Sequence, residues 1–184
     1  LESADRSVVF KHGAKEIAYL NGWGITFMAK PDHHWTGSSG HLHMSIWGIE
    51  DDRPLMHAAP GEPEGPYGLS ERGSQFMAGM MALSRELAVF VAPFINSYKR
   101  FAALSWAPVN VVWGRDNRTT GFRLVGHGSA LHVENRFPGG DMNPYLTYAA
   151  VVGAGLLGIE REIEPPDEYR GNGYVATGCD RMPR

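Results

Sequence analysis

The sequence predicts an α+β fold within one domain. Helical and strand patterns follow one another in mixed order, without the strict alternation of a parallel doubly wound fold. The chain has 184 residues, of which 43% are hydrophobic and 20% charged, so it can bury a sizeable core and has an ordinary globular composition. Residues 41–47 and 131–137 alternate polar and apolar side chains in the same way, which indicates two half-buried strands.

The first elements along the chain are a helix and a strand. Residues 3–20 have the spacing of an amphipathic helix, with Ser3 or Asp5 as its cap and Asn21-Gly22 at its end. Residues 24–30 favour a strand, which a following proline ends. A loop then connects this strand to the first alternating segment.

The rest of the chain predicts two further helices and three further strands. Residues 50–69 contain four prolines and indicate an irregular surface excursion. Apolar spacing predicts a long helix over 70–91, and a second helix over 143–158 with proline in its first turn. The tail at 165–184 is rich in glycine and proline, which favours irregular structure. The strand candidates between the two helices are 107–113, 121–125 and 130–137.

The charge distribution favours a small anionic ligand over a polymer. The net charge of −3 and a pI near 6.2 exclude a broad surface for nucleic acid. Arginines nevertheless gather within one short window: Arg100, Arg115, Arg118, Arg123 and Arg136. Guanidinium groups bind carboxylates and phosphates through paired hydrogen bonds, so this window predicts recognition of such groups.

The cysteine content and the apolar runs bear on the compartment. Cys179 is the single cysteine, which excludes an intrachain disulfide and favours a reducing, cytoplasmic setting. No apolar run approaches the roughly 20 residues that span a bilayer, and no signal peptide is visible, so we expect no membrane partner. The chain opens at Leu1 without an initiator methionine, and we therefore expect a fragment of a longer protein.

The first alternating segment places His41, His43 and Ser45 on one strand face. The small residues at 37–40 allow the backbone to approach a ligand, and their N–H groups favour anions. Imidazole is a common metal ligand. The alternative is a strand edge whose histidines face only solvent.

The second alternating segment places His132, Glu134 and Arg136 on one face. Two strands of this kind could line a site for a divalent cation and phosphate. The alternative for Glu134 is a surface ion pair with Arg136.

Several motifs, in this order along the chain, resemble the catalytic domain of glutamine synthetases. They are TFMAKP (26–31), GSSGHLHMS (37–45), NSYKR (96–100), NR (117–118), ENRFP (134–138) and NPYL (143–146). The resemblance covers nearly the whole chain. It implies a mostly antiparallel sheet with packed helices, and identifies 1–184 as the C-terminal portion of such a domain. It also implies ATP-dependent formation of a γ-glutamyl amide through a γ-glutamyl phosphate, with Mg²⁺ or Mn²⁺ neutralising the phosphates.

The resemblance also implies a role for each matching residue. The metal ligands would be His41 and Glu134. The residues that contact ATP would be His43, Ser45, Arg118 and Arg123. The residues that bind glutamate would be Gly37, Arg100 and Arg136, and the catalytic arginines would be Arg100 and Arg118.

Departures from the family pattern concern the acceptor. Trp106 stands where ammonia-using enzymes carry a glutamate on a flap over the intermediate, and an indole cannot accept a proton. Thr36 replaces a usual asparagine, and His132 replaces an arginine that often contacts ATP. The runs at 116–123 and 134–141 look closer to γ-glutamyl-amine ligases of the same superfamily. Trp106 is therefore a candidate contact for an organic amine.

Two alternatives remain open from the sequence. The parent protein could be an authentic glutamate–ammonia ligase of glutamine biosynthesis and nitrogen metabolism, or this piece could be a non-catalytic nucleotide- or metal-binding remnant. The family's other metal-binding glutamates and its N-terminal domain precede the segment that matches here. Because that domain completes a neighbouring subunit's active site, we expect a homo-oligomeric parent and an inactive isolated fragment.

Overall fold

Four short strands form one sheet in the computed structural model, which describes residues 1–102 and 106–183. The strands are β1 (Leu42–Met44), β2 (Trp113–Arg115), β3 (Phe122–Val125) and β4 (His132–Asn135). They lie in the spatial order β1-β4-β3-β2. The pairs β1–β4 and β3–β4 are antiparallel and β2–β3 is parallel, so the predicted, mostly antiparallel sheet is confirmed.

The register of this sheet places charged groups around one residue of β4. Glu134 lies opposite His43 on β1 and opposite Arg123 on β3. Cross-strand partners have closely spaced side chains, so both groups lie within reach of the carboxylate. The central position of β4 thus selects Glu134 as the residue around which a site can form.

The described residues contain five α-helices in addition to this sheet, which confirms the α+β class. They are α1 (Glu2–Leu20), α2 (Glu71–Ala82), α3 (Ala88–Val91), α4 (Ile95–Tyr98) and α5 (Pro144–Glu160). The cap of α1 is Leu1 rather than Ser3 or Asp5. The helix α5 has Asn143 as its cap and proline in its first turn, which agrees with the predicted start at 143. No helix within 1–102 and 106–183 is both long enough and apolar enough to cross a membrane.

The prediction of one continuous helix over 70–91 is wrong. The helix α2 ends at Ala82, and turns separate it from α3. The hydroxyl of Ser84 donates to the carbonyl of Met80 at 2.9 Å. A serine that bonds back to the preceding turn competes with the helical hydrogen bonds and bends the chain.

The predicted strand at 24–30 is also wrong, because other groups take its backbone hydrogen bonds. The N–H of Lys30 donates to the side-chain oxygen of Asn96 at 2.9 Å, and the Asn96 amide donates back to the Lys30 carbonyl at 2.8 Å. The carbonyl of Ala29 accepts from the N–H of Ser38 at 2.8 Å. The segment is therefore held by a side chain and a loop rather than by a neighbouring strand.

Only the last residue of the predicted strand at 107–113 lies in a strand. Its earlier part pairs with the C-terminal tail: the N–H of Val111 donates to the Asp180 carbonyl, and the N–H of Met182 donates to the Val109 carbonyl, both at 2.8 Å. The tail, expected to be irregular, therefore extends the structure beside β2. Of the tail, residue 184 lies outside the described residues.

The core lies between one face of the sheet and the pair α2–α5. The largest fully buried side chains include Phe76, Phe101, Phe122, Phe137, Met77, Met80, Leu124 and Val133. Two glycines allow the helices to touch, because a Cβ at Gly79 would lie 2.2 Å from the Ala154 carbonyl oxygen and one at Gly158 would lie 2.1 Å from that of Gln75. This packing fixes the sheet from behind and leaves its polar face to the site.

Candidate active site

The carboxylate of Glu134 is the centre of the polar face. Its side chain is 4% exposed, and its Oε1 lies 3.0 Å from His41 Nδ1 and 3.6 Å from His43 Nε2. The sequence predicts that His41 and Glu134 share a cation, and the distance between them is within the roughly 5 Å that two ligands of one ion allow. Their role as metal ligands stays a prediction.

Two arginines neutralise the same carboxylate. Arg136 donates from Nη1 to Oε1 of Glu134 at 2.9 Å, and Arg123 donates from Nη1 to Oε2 at 3.2 Å. Burial alone would raise the pKa of Glu134, but the hydrogen bond with His41 and the charge of Arg136 outweigh it and bring the pKa to about 2. The carboxylate is therefore ionised at neutral pH, as a metal ligand must be.

The histidines beside Glu134 form a chain. His132 Nδ1 lies 2.7 Å from the Ala130 carbonyl, which assigns its proton there, and His132 Nε2 lies 3.0 Å from His43 Nδ1. Neutral His43 then carries its proton on Nδ1 and directs the lone pair of Nε2 towards Glu134. Burial lowers the pKa of His43, which favours the neutral form. A lone pair facing a carboxylate suits an intervening cation. The imidazole nitrogens and the carboxylate oxygens here are therefore of the chemical type that binds a divalent metal.

Residues 1–102 and 106–183 contain no larger cluster of metal-binding side chains. No cluster of three or more histidine, cysteine, aspartate or glutamate side chains in those residues has the geometry to hold an ion. Two ligands leave most positions of a six-coordinate ion to water or phosphate oxygens. The described chain thus offers part of a metal site.

A cavity of about 300 Å³ lies next to the His41–Glu134 pair. It brings together six of the predicted residues: Gly37, His41, Arg100, Trp106, Arg118 and Arg136. His41 also borders a second cavity, of about 570 Å³, which His43 and Ser45 line. The predicted glutamate and ATP residues thus line two cavities that meet at the predicted metal ligand. Arg123 joins the site through its hydrogen bond to Glu134.

Arg100 is held rigidly at the wall of the smaller cavity. Its guanidinium donates to the carbonyl of Phe137. Burial lowers the pKa of Arg100 to about 10, against the opposing charge of Asp141, so the group remains cationic at neutral pH. Gly37 lies against it, because a Cβ there would be 2.7 Å from the Ala29 carbonyl oxygen and 2.8 Å from Arg100 Cγ. Gly37 therefore serves the site by allowing close approach.

Two further donors are ready for an anion. Within the described residues, the Nε atoms of Arg123 and Arg136 are buried and have no hydrogen-bond partner. Buried donors without partners are costly, and a carboxylate or phosphate oxygen would satisfy them. Of these two arginines, Arg136 lines the smaller cavity, which therefore suits an anionic ligand.

The loop that carries Arg118 is fixed by its neighbours. The side-chain oxygen of Asn117 accepts from the N–H and the hydroxyl of Thr119, at 3.0 and 2.6 Å, and the Asn117 amide donates to the Gly171 carbonyl at 2.9 Å. This local turn is the kind that asparagine favours. It holds Arg118 at the cavity without help from a regular element.

Trp106, at the position predicted for the flap, lies at the rim of the smaller cavity. Its side chain is largely exposed, and its backbone φ of +60° is unusual for a bulky residue. It borders the smaller cavity and another, of about 760 Å³, on its other side. Residues 103–105, which precede it in the predicted flap, lie outside the described residues.

Tyr174 is among the residues of this cavity that the sequence does not predict. Tyr174, in the tail, lines the smaller cavity, and its hydroxyl donates to the carbonyl of Trp106 at 3.1 Å. The tail pattern predicted only irregular structure. The turn-forming Asn172-Gly173 pair was the available signal, but it does not indicate which part of the chain the turn contacts.

Comparison with known proteins finds relatives over nearly the whole chain. A glutamate–isopropylamine ligase of Pseudomonas sp. is 49% identical over 178 residues, covering 96% of this chain and 38% of the ligase. A gamma-glutamylethanolamide synthetase of Streptomyces coelicolor is 47% identical, covering 96% and 36%. The structure of GmaS with ADP is similar with a TM-score of 0.87 and 34% identity, covering 98% and 42%. The chain spans less than half the length of these relatives.

The family comparison covers nearly the whole chain. The model for the glutamine synthetase catalytic domain matches residues 1–183. The match includes both strands of the Glu134 site and the tail that carries Tyr174. The chain therefore belongs to the glutamine synthetase family.

Proposed function

We propose that the parent protein is an ATP-dependent ligase that joins glutamate to an organic amine through γ-glutamyl phosphate. The observation that carries this proposal is the arginine-lined cavity beside the ionised Glu134 and its histidines. Two relatives support the amine class: one is named for joining glutamate to isopropylamine, and the other for forming a γ-glutamylethanolamide. In this reaction a γ-carboxylate oxygen of glutamate attacks the terminal phosphorus of ATP, and ADP leaves. The neutral amine then attacks the carbonyl carbon of the γ-glutamyl phosphate, loses a proton and displaces phosphate.

The residues of the chain have distinct roles in this proposal. Arg100 and Arg136 bind the carboxylates of glutamate, with Gly37 allowing Arg100 to approach. Arg118 and Arg123 bind phosphate oxygens, and charge that develops during transfer is stabilised by these fixed cations. His43 and Ser45 contact the nucleotide in the second cavity. Mg²⁺ or Mn²⁺ held by His41 and Glu134 would neutralise the transferred phosphate.

Trp106 decides the acceptor in this proposal. Ammonium is small and needs a carboxylate to hold it, whereas an alkyl amine gains about 0.8 kcal/mol per methylene buried against an apolar wall. The face of an indole adds about 0.5–2 kcal/mol for a protonated amine. The exposed side chain of Trp106 at the cavity rim provides both contacts.

A second candidate is an authentic glutamine synthetase that uses ammonia. The match of the family model favours it, since that model describes glutamine synthetase itself.

In either case we propose a cytoplasmic homo-oligomer with active sites between subunits, and no activity of residues 1–184 alone. The single cysteine supports a reducing compartment, and the partial metal site supports a contribution from other parts of the parent.

The test is a panel of amines against ammonia with the full-length parent. We expect isopropylamine or ethanolamine to have a kcat/KM at least equal to that of ammonia. The substitution Trp106→Glu should lower the amine-to-ammonia ratio of kcat/KM by about tenfold or more, which corresponds to about 1.4 kcal/mol. Trp23→Glu is the matched control, because Trp23 is similarly exposed and lies away from the cavity. A strong preference for ammonia that Trp106→Glu leaves unchanged would refute the acceptor role of Trp106.

A further inference from the structure

The tail turn at 172–175 is fastened to the loop that carries Arg118. The N–H of Gly173 donates to Thr119 Oγ1 at 2.7 Å, and the Asn110 amide donates to the Gly173 carbonyl at 2.7 Å. A Cβ at Gly173 would lie 2.5 Å from the Thr119 carbonyl oxygen, so the close approach requires glycine. The turn is therefore a rigid support next to the cavity.

Tyr174 extends from this support to the cavity rim. Its N–H donates to the side chain of Asn172 at 3.1 Å, which continues the local turn. Its hydroxyl donates to the carbonyl of Trp106, and its side chain lines the same cavity as Arg118. Burial raises the pKa of Tyr174, so the hydroxyl keeps the proton that it donates.

The residue that accepts this hydrogen bond, Trp106, depends on surrounding contacts to hold its backbone conformation. Trp106 has left-handed backbone geometry, which side chains other than glycine rarely adopt without surrounding contacts that hold them there. The residue is 71% exposed, so little packing fixes the direction of its indole. The contact from Tyr174 is made at the backbone, where it can fix the direction in which the indole leaves the chain.

We propose that Tyr174 is a positioning residue for the acceptor amine: it holds the carbonyl of Trp106 and thereby orients the indole over the cavity. This inference rests on the proposed acceptor role of Trp106. It assigns to the C-terminal tail a part in acceptor selectivity, carried by one hydroxyl group. Glutamate binding should not depend on that hydroxyl, because Arg100 and Arg136 are held by Phe137 and Glu134.

The kinetic test compares Tyr174→Phe with Tyr169→Phe in the full-length parent. Tyr169 lies in the same tail, and its hydroxyl makes no hydrogen bond to any of the described residues. Tyr174→Phe should raise KM for the amine about fivefold, the effect of one neutral hydrogen bond, while KM for glutamate stays unchanged. Tyr169→Phe should leave both values unchanged. Equal effects on both substrates, or none, would overturn the proposal.

A spectroscopic test does not depend on catalysis. The parent is labelled with 5-fluorotryptophan, and the ¹⁹F resonance of Trp106 is assigned by its loss in Trp106→Phe. Tyr174→Phe should shift or broaden this resonance, whereas Tyr169→Phe should not. If the enzyme used no amine while the resonance responded as expected, the proposed function would fail but the positioning contact would stand. An unchanged resonance in Tyr174→Phe would refute the positioning role.

Discussion

At the scale of single residues, Glu134 organises the site. One buried carboxylate meets two imidazoles and two guanidinium groups, and the hydrogen bond with His41 and the charges of the two guanidinium groups keep it ionised. The alternating pattern of the sequence placed Glu134 and His41 on polar strand faces, and the pairing of β1 with β4 brings them together. The ion pair with Arg136, the alternative from sequence, is present, but it is buried rather than at the surface.

The substitution Glu134→Gln in the full-length parent tests this role of the carboxylate. Glutamine keeps the shape of the side chain but removes the negative charge that a divalent ion requires. We expect Mn²⁺ affinity, measured by electron paramagnetic resonance titration, to fall by at least about tenfold, and kcat/KM to fall by at least about 100-fold. Glu86→Gln, at an exposed position, is the control. Unchanged Mn²⁺ affinity would rule out Glu134 as a ligand.

At the scale of elements, local patterns predicted the helices better than the strands. The helices at 2–20 and 144–160 follow their spacing closely, because their hydrogen bonds are local. The break after Ala82 depends on where the hydroxyl of Ser84 bonds, and the apolar spacing continues through it. The segment at 109–111 finds its partner some 70 residues later in the tail, a pairing that no local pattern encodes.

The tail has a second anchor at the element scale, the carboxylate of Glu168. It accepts from the N–H of Arg115 at 3.1 Å, from the hydroxyl of Tyr67 at 2.8 Å and from Arg170 Nε at 2.9 Å. Burial raises the pKa of Glu168, but the hydrogen bonds from Arg115 and Tyr67 outweigh it, so the pKa lies below the usual 4.5. The charged form is thus the one that the folded state favours.

The corresponding prediction is a pH-dependent loss of stability in Glu168→Gln. Because the folded state lowers the pKa, the contribution of Glu168 is present above about pH 4.5 and is lost as the pH falls through its folded-state pKa. We expect the free energy of unfolding of the full-length variant to be lower by about 1–2 kcal/mol at pH 7, with the difference shrinking below pH 4.5. Denaturant unfolding across this range measures it, with exposed Glu164→Gln as control. A difference that does not vary with pH would contradict the assignment.

At the scale of the whole molecule, two cavities meet at one pair of predicted metal ligands. Of the site residues that the family resemblance predicted, all but Glu134 and Arg123 line one of these two cavities, because the resemblance supplied long-range information that the local patterns lack. The resemblance did not separate the two cavities, since Arg118, predicted to contact ATP, lines the smaller one together with the predicted glutamate residues. It did not predict the wall that the tail provides. Tyr174 reaches the site through long-range hydrogen bonds, among them those between the tail and the segments at 110 and 119, and these form in the folded chain alone.

The proposed transfer of phosphate to glutamate before the amide forms can be tested with an isotope label. The full-length parent is supplied with ATP, isopropylamine and glutamate carrying ¹⁸O in its γ-carboxylate, and the released phosphate is analysed by mass spectrometry. If the carboxylate oxygen attacks phosphorus, the amine later expels phosphate together with that oxygen. We predict one ¹⁸O atom in each phosphate released with a γ-glutamyl amide product. Formation of the amide with unlabelled phosphate would rule out γ-glutamyl phosphate as the intermediate.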